Sequence, residues 1–278
     1  MRIRATFITA MLVLVLPGTT HATTLVRLSL EQLSQASSAI VRGRVVSQES
    51  RLSANGKQVV TLTTIAVEQS MKGRPSATLV VEQPGGAVGN RRVRVAGTIQ
   101  FRPETRYMLF LEPSTSGEGR FRMVGMLQGA YRILRDERTQ GERVIRPLGS
   151  VFYGSGRRGA TPAALSTGEF HRQLSAAISA PITVPRGTAM PVSIIATASR
   201  GAGRLRVEAR TSVDIFPSAT VVIPAGSVVE GTAQRSGTNW QIHWTTLNIR
   251  DQQVGIDAES EEPAGASLRG RVLVVKVR

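Results

Sequence analysis

Hydrophobic and polar positions alternate with a period of two along most of this chain, and two short stretches break into helical spacing. The first is Leu28-Ser29-Leu30-Glu31-Gln32-Leu33. Ser29 is placed to cap a helix, and Gln32 lies three residues on, as in a capping box. Leu30, Leu33 and Ala36 share a helical face, which predicts a short helix across one end of a sheet. Strand-like runs of Val, Ile and Thr follow over 40–46, 58–67, 78–82, 107–111, 121–126 and 129–134. Asn55-Gly56 predicts a tight hairpin with both residues at positive φ. The unbroken apolar run at 107–111 predicts a strand buried on both faces.

A glycine-rich stretch without apolar period, 149–162, reads as a linker. A second helix follows, with Ser166 as its cap, Phe170, Leu174 and Ile178 on one face, and Pro181 as its stop. Strand patterns resume over 192–197, 205–209, 220–223, 228–232, 240–247, 253–257 and 268–277. Within 240–247 Trp240, Ile242, Trp244 and Leu247 face one way, and Gln241, His243 and Thr245 the other. The fold class expected is mainly β: two small β-barrel or sandwich modules joined by a Gly-rich linker and a short amphipathic helix. The expected boundaries are a first module over 23–148, linker 149–165, helix 166–180 and second module 181–278.

Composition adds a compartment. Arg2 and Arg4, the apolar run 10–16, the break at Pro17-Gly18 and the small residues Thr20-His21-Ala22 make residues 1–22 a signal peptide cleaved near Ala22. That run is too short for a span, which needs about 20 residues. No transmembrane span is expected in the mature chain. The expected location is the periplasm or the extracellular space. The sequence contains no cysteine, which excludes thiolate catalysis and Cys-based metal sites. Hydrophobic residues make up 41% of the 278 but aromatics only 4%, so the core is mainly aliphatic and stacking surfaces for single strands are excluded.

The formal charge is +16 and almost entirely arginine. Its densest points, Arg91, Arg92 and Arg94, and Arg269 and Arg271, are the candidate interaction residues. The partners implied are envelope proteins or anionic surface polymers, not cytoplasmic nucleic acid.

Catalytic patterns are sparse. Gly154-Ser155-Gly156-Arg157-Arg158-Gly159 matches a dinucleotide fingerprint in letters, but Pro162 interrupts the helix that motif requires. His171 and His243 lack metal-ligand spacing. Glu259-Ser260-Glu261-Glu262 reads as a solvated loop that lacks the glycine of a calcium loop, and Asp214 and Asp257 read as turn-formers at strand ends. No catalytic, metal or cofactor residue is assigned, and no cofactor is expected.

One short pattern recurs: Val184-Pro185-Arg186-Gly187-Thr188 and Ile223-Pro224-Ala225-Gly226-Ser227. Pro185 and Pro224 are expected at the second turn position, with Gly187 and Gly226 at the fourth. The two turns are read as matching strand entries. Together with Val254-Gly255-Ile256-Asp257 and Gly265-Ala266-Ser267-Leu268-Arg269-Gly270-Arg271-Val272, this layout resembles the C-terminal β-barrel domain of the TrbI family of conjugal transfer and type IV secretion proteins. The first half resembles a group of exported, mostly uncharacterised bacterial proteins. The matching features are Ser29-Leu30-Glu31-Gln32-Leu33, Val41-Arg42-Gly43-Arg44-Val45, Val67-Glu68-Gln69-Ser70-Met71-Lys72-Gly73, Phe101-Arg102-Pro103-Glu104 and Arg120-Phe121-Arg122-Met123-Val124-Gly125. It implies a small β-barrel-like module and no activity. A signal peptide and a β module stand where the TrbI family has a membrane helix and a proline-rich stretch, and the family's helical extension is not found before Arg278. The expectation is therefore a non-catalytic envelope protein that reuses the barrel for binding or assembly. The alternatives are a secreted hydrolase of envelope polymers and a basic binder of anionic polymer or nucleic acid.

Overall fold

Helix α1 (Leu30–Ala36) starts where the sequence places it: the Ser29 hydroxyl accepts from Gln32 N–H, and the Gln32 side chain closes the capping box on Ser29 N–H. The structure is a computed structural model that describes residues 27–117, 119–146, 164–218, 220–250, 252–263 and 267–278. The expected signal peptide and the dinucleotide-like run lie outside the described residues, as does most of the expected linker.

The first module is built from β1 (Ala39–Leu52), β2 (Val59–Lys72), β3 (Thr78–Pro84), β4 (Gly86–Val88), β5 (Arg91–Val93), β6 (Arg106–Pro113), β7 (Arg120–Met123), β8 (Ala130–Arg135), β9 (Glu142–Ile145) and β10 (Leu165–Ser166). Strands β1, β2, β3, β7 and β6 pair in that order, and β6 returns to β1, so five strands close a barrel. All neighbours are antiparallel except β3 and β7. This is a Greek-key barrel of OB-fold type. Its interior is aliphatic, with Val41, Val45, Ile65, Val81, Leu109 and Leu111 buried around Tyr107 and Phe101. Strands β8, β9 and β10 extend the sheet beyond β6, and β4 and β5 form a separate ribbon.

The second module comprises β11 (Ala189–Ser199), β12 (Arg204–Thr211), β13 (Val228–Ser236), β14 (Asn239–Ile249), β15 (Gln252–Pro263) and β16 (Val272–Val277), a closed antiparallel meander barrel. Trp244, Ile242, Leu247 and Ile249 are buried inside it, and His243 is exposed. A bulge between Trp244 and Thr246 moves the inward position to Leu247.

Between the barrels lies α2 (Thr167–Ser179), capped by Ser166. It packs with α1 over the outer faces of β1 and β6, burying Leu33, Ile40, Met108, Phe110, Phe170 and Leu174. Val222 of the second module joins the same cluster. Gln32 therefore has two roles. Its Oε1 caps α1, while its Nε2 donates to Ser218 O (2.9 Å) and Val221 O (3.2 Å) of the second module. Gln35 Oε1 accepts from Val222 N–H, and Arg250 pairs with Glu112 at 2.7 Å. The mainly β, two-module class stands, with both modules closing as barrels.

Several local expectations change. Gly56 alone of the hairpin pair has positive φ; Asn55 instead accepts from Lys57 N–H with its side chain, and Ser53 and Gln58 close a longer loop. Helix α1 covers a sheet face, not an end. Residues 220–223 form no strand, only the bridge Ile215↔Ile223, because Val221 and Val222 are buried by packing. Leu165, expected in the linker, pairs with Val144. Glu259, Glu261 and Glu262 sit within β15 instead of a loop, and Asp257 lies mid-strand.

Candidate functional site

The recurring turn is a matched structural device. Thr188 N–H donates to Pro185 O and Ser227 N–H to Pro224 O, so each proline is the first residue of its turn and each glycine the third. Gly187 and Gly226 adopt φ +81° and +84°, as the third position of a type II turn requires. The expected second and fourth positions are thus each one too late. Thr188 and Ser227 also donate their hydroxyls to the proline carbonyls at 2.6 and 2.7 Å.

Gly187 N–H donates to Val277 O, and Val277 N–H donates to Thr188 O. Gly226, Thr211 and Ser227 repeat this pattern. Two residues opposing one, with a left-handed glycine first, is a β-bulge that turns the chain into its strand. A third copy is present that the sequence did not disclose. Arg271 N–H donates to Leu268 O, Gly270 has φ +82°, Gly270 N–H donates to Ile194 O, and Ile194 N–H donates to Arg271 O. Arg269 and Arg271, expected as interaction residues, are the second and fourth residues of this turn. Both are exposed.

That third turn opens β16, whose outer edge is distinctive. On one side β16 pairs with β11 from Val272 to Lys276. On the other it meets β15 only through Ala258↔Val277 and Glu259↔Lys276. The backbone groups of Arg271 and Val277 bond toward the β11 side. The two-residue period then turns Val272 and Val274 the other way, toward a gap in the wall. Their side chains point outward and are 66% and 59% exposed, the two most exposed large apolar residues described. An apolar edge whose backbone groups meet no neighbouring strand among the described residues is a template for strand addition.

The other arginine set lies on the first barrel. Arg91 and Arg92 belong to the β4–β5 ribbon, and Arg94 follows it. Arg92 and Arg94 line a groove of about 550 Å³ with Gln48, Ser50, Thr61 and Gln83. Arg91 does not line it and reaches instead toward Lys57 O. The two arginine sets are on different modules.

Elsewhere some arginines, among the described residues, are paired with carboxylates. Arg42 makes two bonds to Glu142 (2.7 and 2.9 Å) and one to Glu68 (3.0 Å), which also binds Arg106 at 2.8 Å. Arg44 pairs with Glu104, Arg120 with Glu82, Arg122 with Glu112 and Arg206 with Glu230. Burial alone would raise the Glu68 carboxyl; hydrogen bonds from Arg106 and Arg42, with their charges, outweigh it and hold the group below its usual range. A depressed folded pKa contributes stability above the unfolded value, near 4.3, and loses it as pH falls through the folded one. Replacing Glu68→Gln is expected to cost at most about 1 kcal/mol at pH 7, since the pairs are partly exposed. Thermal unfolding from pH 7 to 3 should show the two proteins converging below pH 4. A gap that stays constant across that range would contradict the assignment.

The remaining sequence candidates are dispersed. His243 Nδ1 lies 3.7 Å from Asp257, a pair the sequence did not suggest because the two are on neighbouring strands, and both are more than half exposed. Asp214 Oδ1 accepts from Ala225 N–H and braces the second turn. Glu261 accepts from Asn239, and Glu259 pairs with Arg278. Among the described residues no cluster of three or more His, Asp or Glu is placed to hold a metal ion, and no helix is long and apolar enough to cross a membrane. Structurally the described residues form two β-barrel modules. In comparison with known proteins it matches no family model and no curated protein at a significant level.

Proposed function

We propose that this is a non-catalytic, exported protein of the cell envelope that works by binding or assembly, with a partner strand adding to the free edge of β16. The observation that carries the reading is the gap beside Val272 and Val274: two exposed valines on a strand whose backbone groups on that side meet no neighbouring strand among the described residues. The contacts through Gln32, Gln35 and Arg250 support it, because they join the module that carries that edge to the first barrel. The resemblance of the turns to the TrbI barrel favours an assembly of the conjugal-transfer or type IV secretion kind.

Photo-crosslinking from position 274 in envelope fractions tests this. A single dominant adduct is expected, and adding Val272→Lys to the chain that carries the crosslinker should sharply reduce it while leaving the unfolding temperature within a few degrees, since that side chain faces solvent. A protein recovered only as an uncrosslinked monomer would overturn the reading. So would hydrolysis of envelope polymers by the purified chain, which would favour the hydrolase alternative.

A further inference from the structure

We infer that the groove at the mouth of the first barrel binds an acidic polysaccharide, whose carboxylates are held by Arg92 and Arg94. Three observations converge there. First, among the described residues no carboxylate lines the groove, and neither arginine has an acidic partner, whereas ten other arginines are in ion pairs with carboxylates. Second, the floor is already fixed. Ser50 Oγ and Thr61 Oγ1 lie 2.9 Å apart, and Thr61 Oγ1 donates to Gly85 O. Gln48 Nε2 donates to Phe101 O, and the Gln83 amide pairs with both backbone groups of Ile99. A ligand therefore meets a preformed polar surface with charged donors left over.

Third, the spacing suits a repeating anion. Arg92 lies in β5 and Arg94 just beyond its end, both exposed, and two residues of near-extended chain separate their Cα atoms by about 7 Å. Each guanidinium presents a planar fork that matches a carboxylate with two parallel bonds. Nucleic acid fits less well, because single-strand binding relies on aromatic platforms. The one ring lining the groove, Phe101, is 5% exposed and packs edge-on against Tyr107 at 5.0 Å. The inference does not depend on strand addition at β16, which lies on the other module.

The test is calorimetric titration of the full chain with oligogalacturonate, with neutral dextran of the same length, with oligothymidylate and with polyphosphate. Oligogalacturonate is expected to bind most tightly, weakening steeply with salt. Substituting Arg92→Gln and Arg94→Gln together should reduce that affinity at least about tenfold, because charge-assisted bonds are the strong ones. The pair Arg135→Gln and Arg138→Gln, exposed on the β8–β9 hairpin, should leave it within about twofold. Unchanged affinity in the first double variant, with its circular dichroism intact, would overturn the assignment. So would oligothymidylate or polyphosphate binding as tightly as the glycan, or no binding of oligogalacturonate by the native chain.

Discussion

Replacing Trp244→Ala is expected to remove about 3–5 kcal/mol of stability, enough to unfold most of the second barrel at modest urea concentrations. Trp244 is wholly inaccessible, the largest of the fully buried side chains, in a barrel core otherwise made of Val, Ile, Leu, Ala and Met. With so little aromatic content, neighbouring side chains are too small to fill the space it would vacate. Its indole Nε1 donates to Ser260 Oγ at 2.9 Å, so truncation also leaves that hydroxyl without its partner. Equilibrium urea unfolding followed by far-ultraviolet circular dichroism measures the loss. A change under 1 kcal/mol would mean that this core is not packed as described.

Phe110→Ala is expected to cost a similar 3–5 kcal/mol, with a different signature. Phe110 is fully buried on the outer face of β6 and begins a run of rings, 5.6 Å to Tyr131 and then 5.0 Å to Phe170 of α2. Its cluster includes Val222 of the second module. Truncation should therefore loosen the joint as well as the first barrel. Hydrogen exchange at Val222 N–H, which is buried against Gln35 Oε1, should accelerate at least tenfold in the variant. Protection at Val222 equal to that of the native chain would show that the two modules are coupled by other contacts.

Features written in local chemistry were the legible ones. Ser29 with Gln32 and Ser166 with Glu169 announce both helices, because a cap needs only residues a turn apart. The alternation through Trp240, Ile242 and Trp244 announces β14 for the same reason. A barrel was expected in the first half, but the strands that close it were not legible, since closure rests on β1 meeting β6 and β3 meeting β7, contacts distant in sequence. Strand β9 escaped notice because Glu142 and Arg143 are spent on cross-strand and neighbouring ion pairs, which masks the apolar period. Residues 220–223 misled in the opposite sense: their apolar character serves the joint between modules.

The candidate surfaces divide in the same way. Arg92 and Arg94 could be found as a charge cluster, but their freedom from carboxylates depends on where every acidic residue folds. Arg269 and Arg271 could be read as charges guarding an edge strand, but how far the edge of β16 lies open depends on where β15 leaves it, which its own residues do not show. The third turn was hidden by its side chains: Leu268 and Arg271 replace the proline and the hydroxyl of the other two, while the backbone geometry is kept.

At Gly187, Gly226 and Gly270 a Cβ would meet no atom within 4 Å, so there is room for a side chain at each. What excludes one is the sign of φ, a left-handed backbone that L-residues enter at a cost of roughly 1–2 kcal/mol. The three strand entries are thus constrained by chirality alone, and a mirror-image alanine would satisfy all of them as well as glycine does.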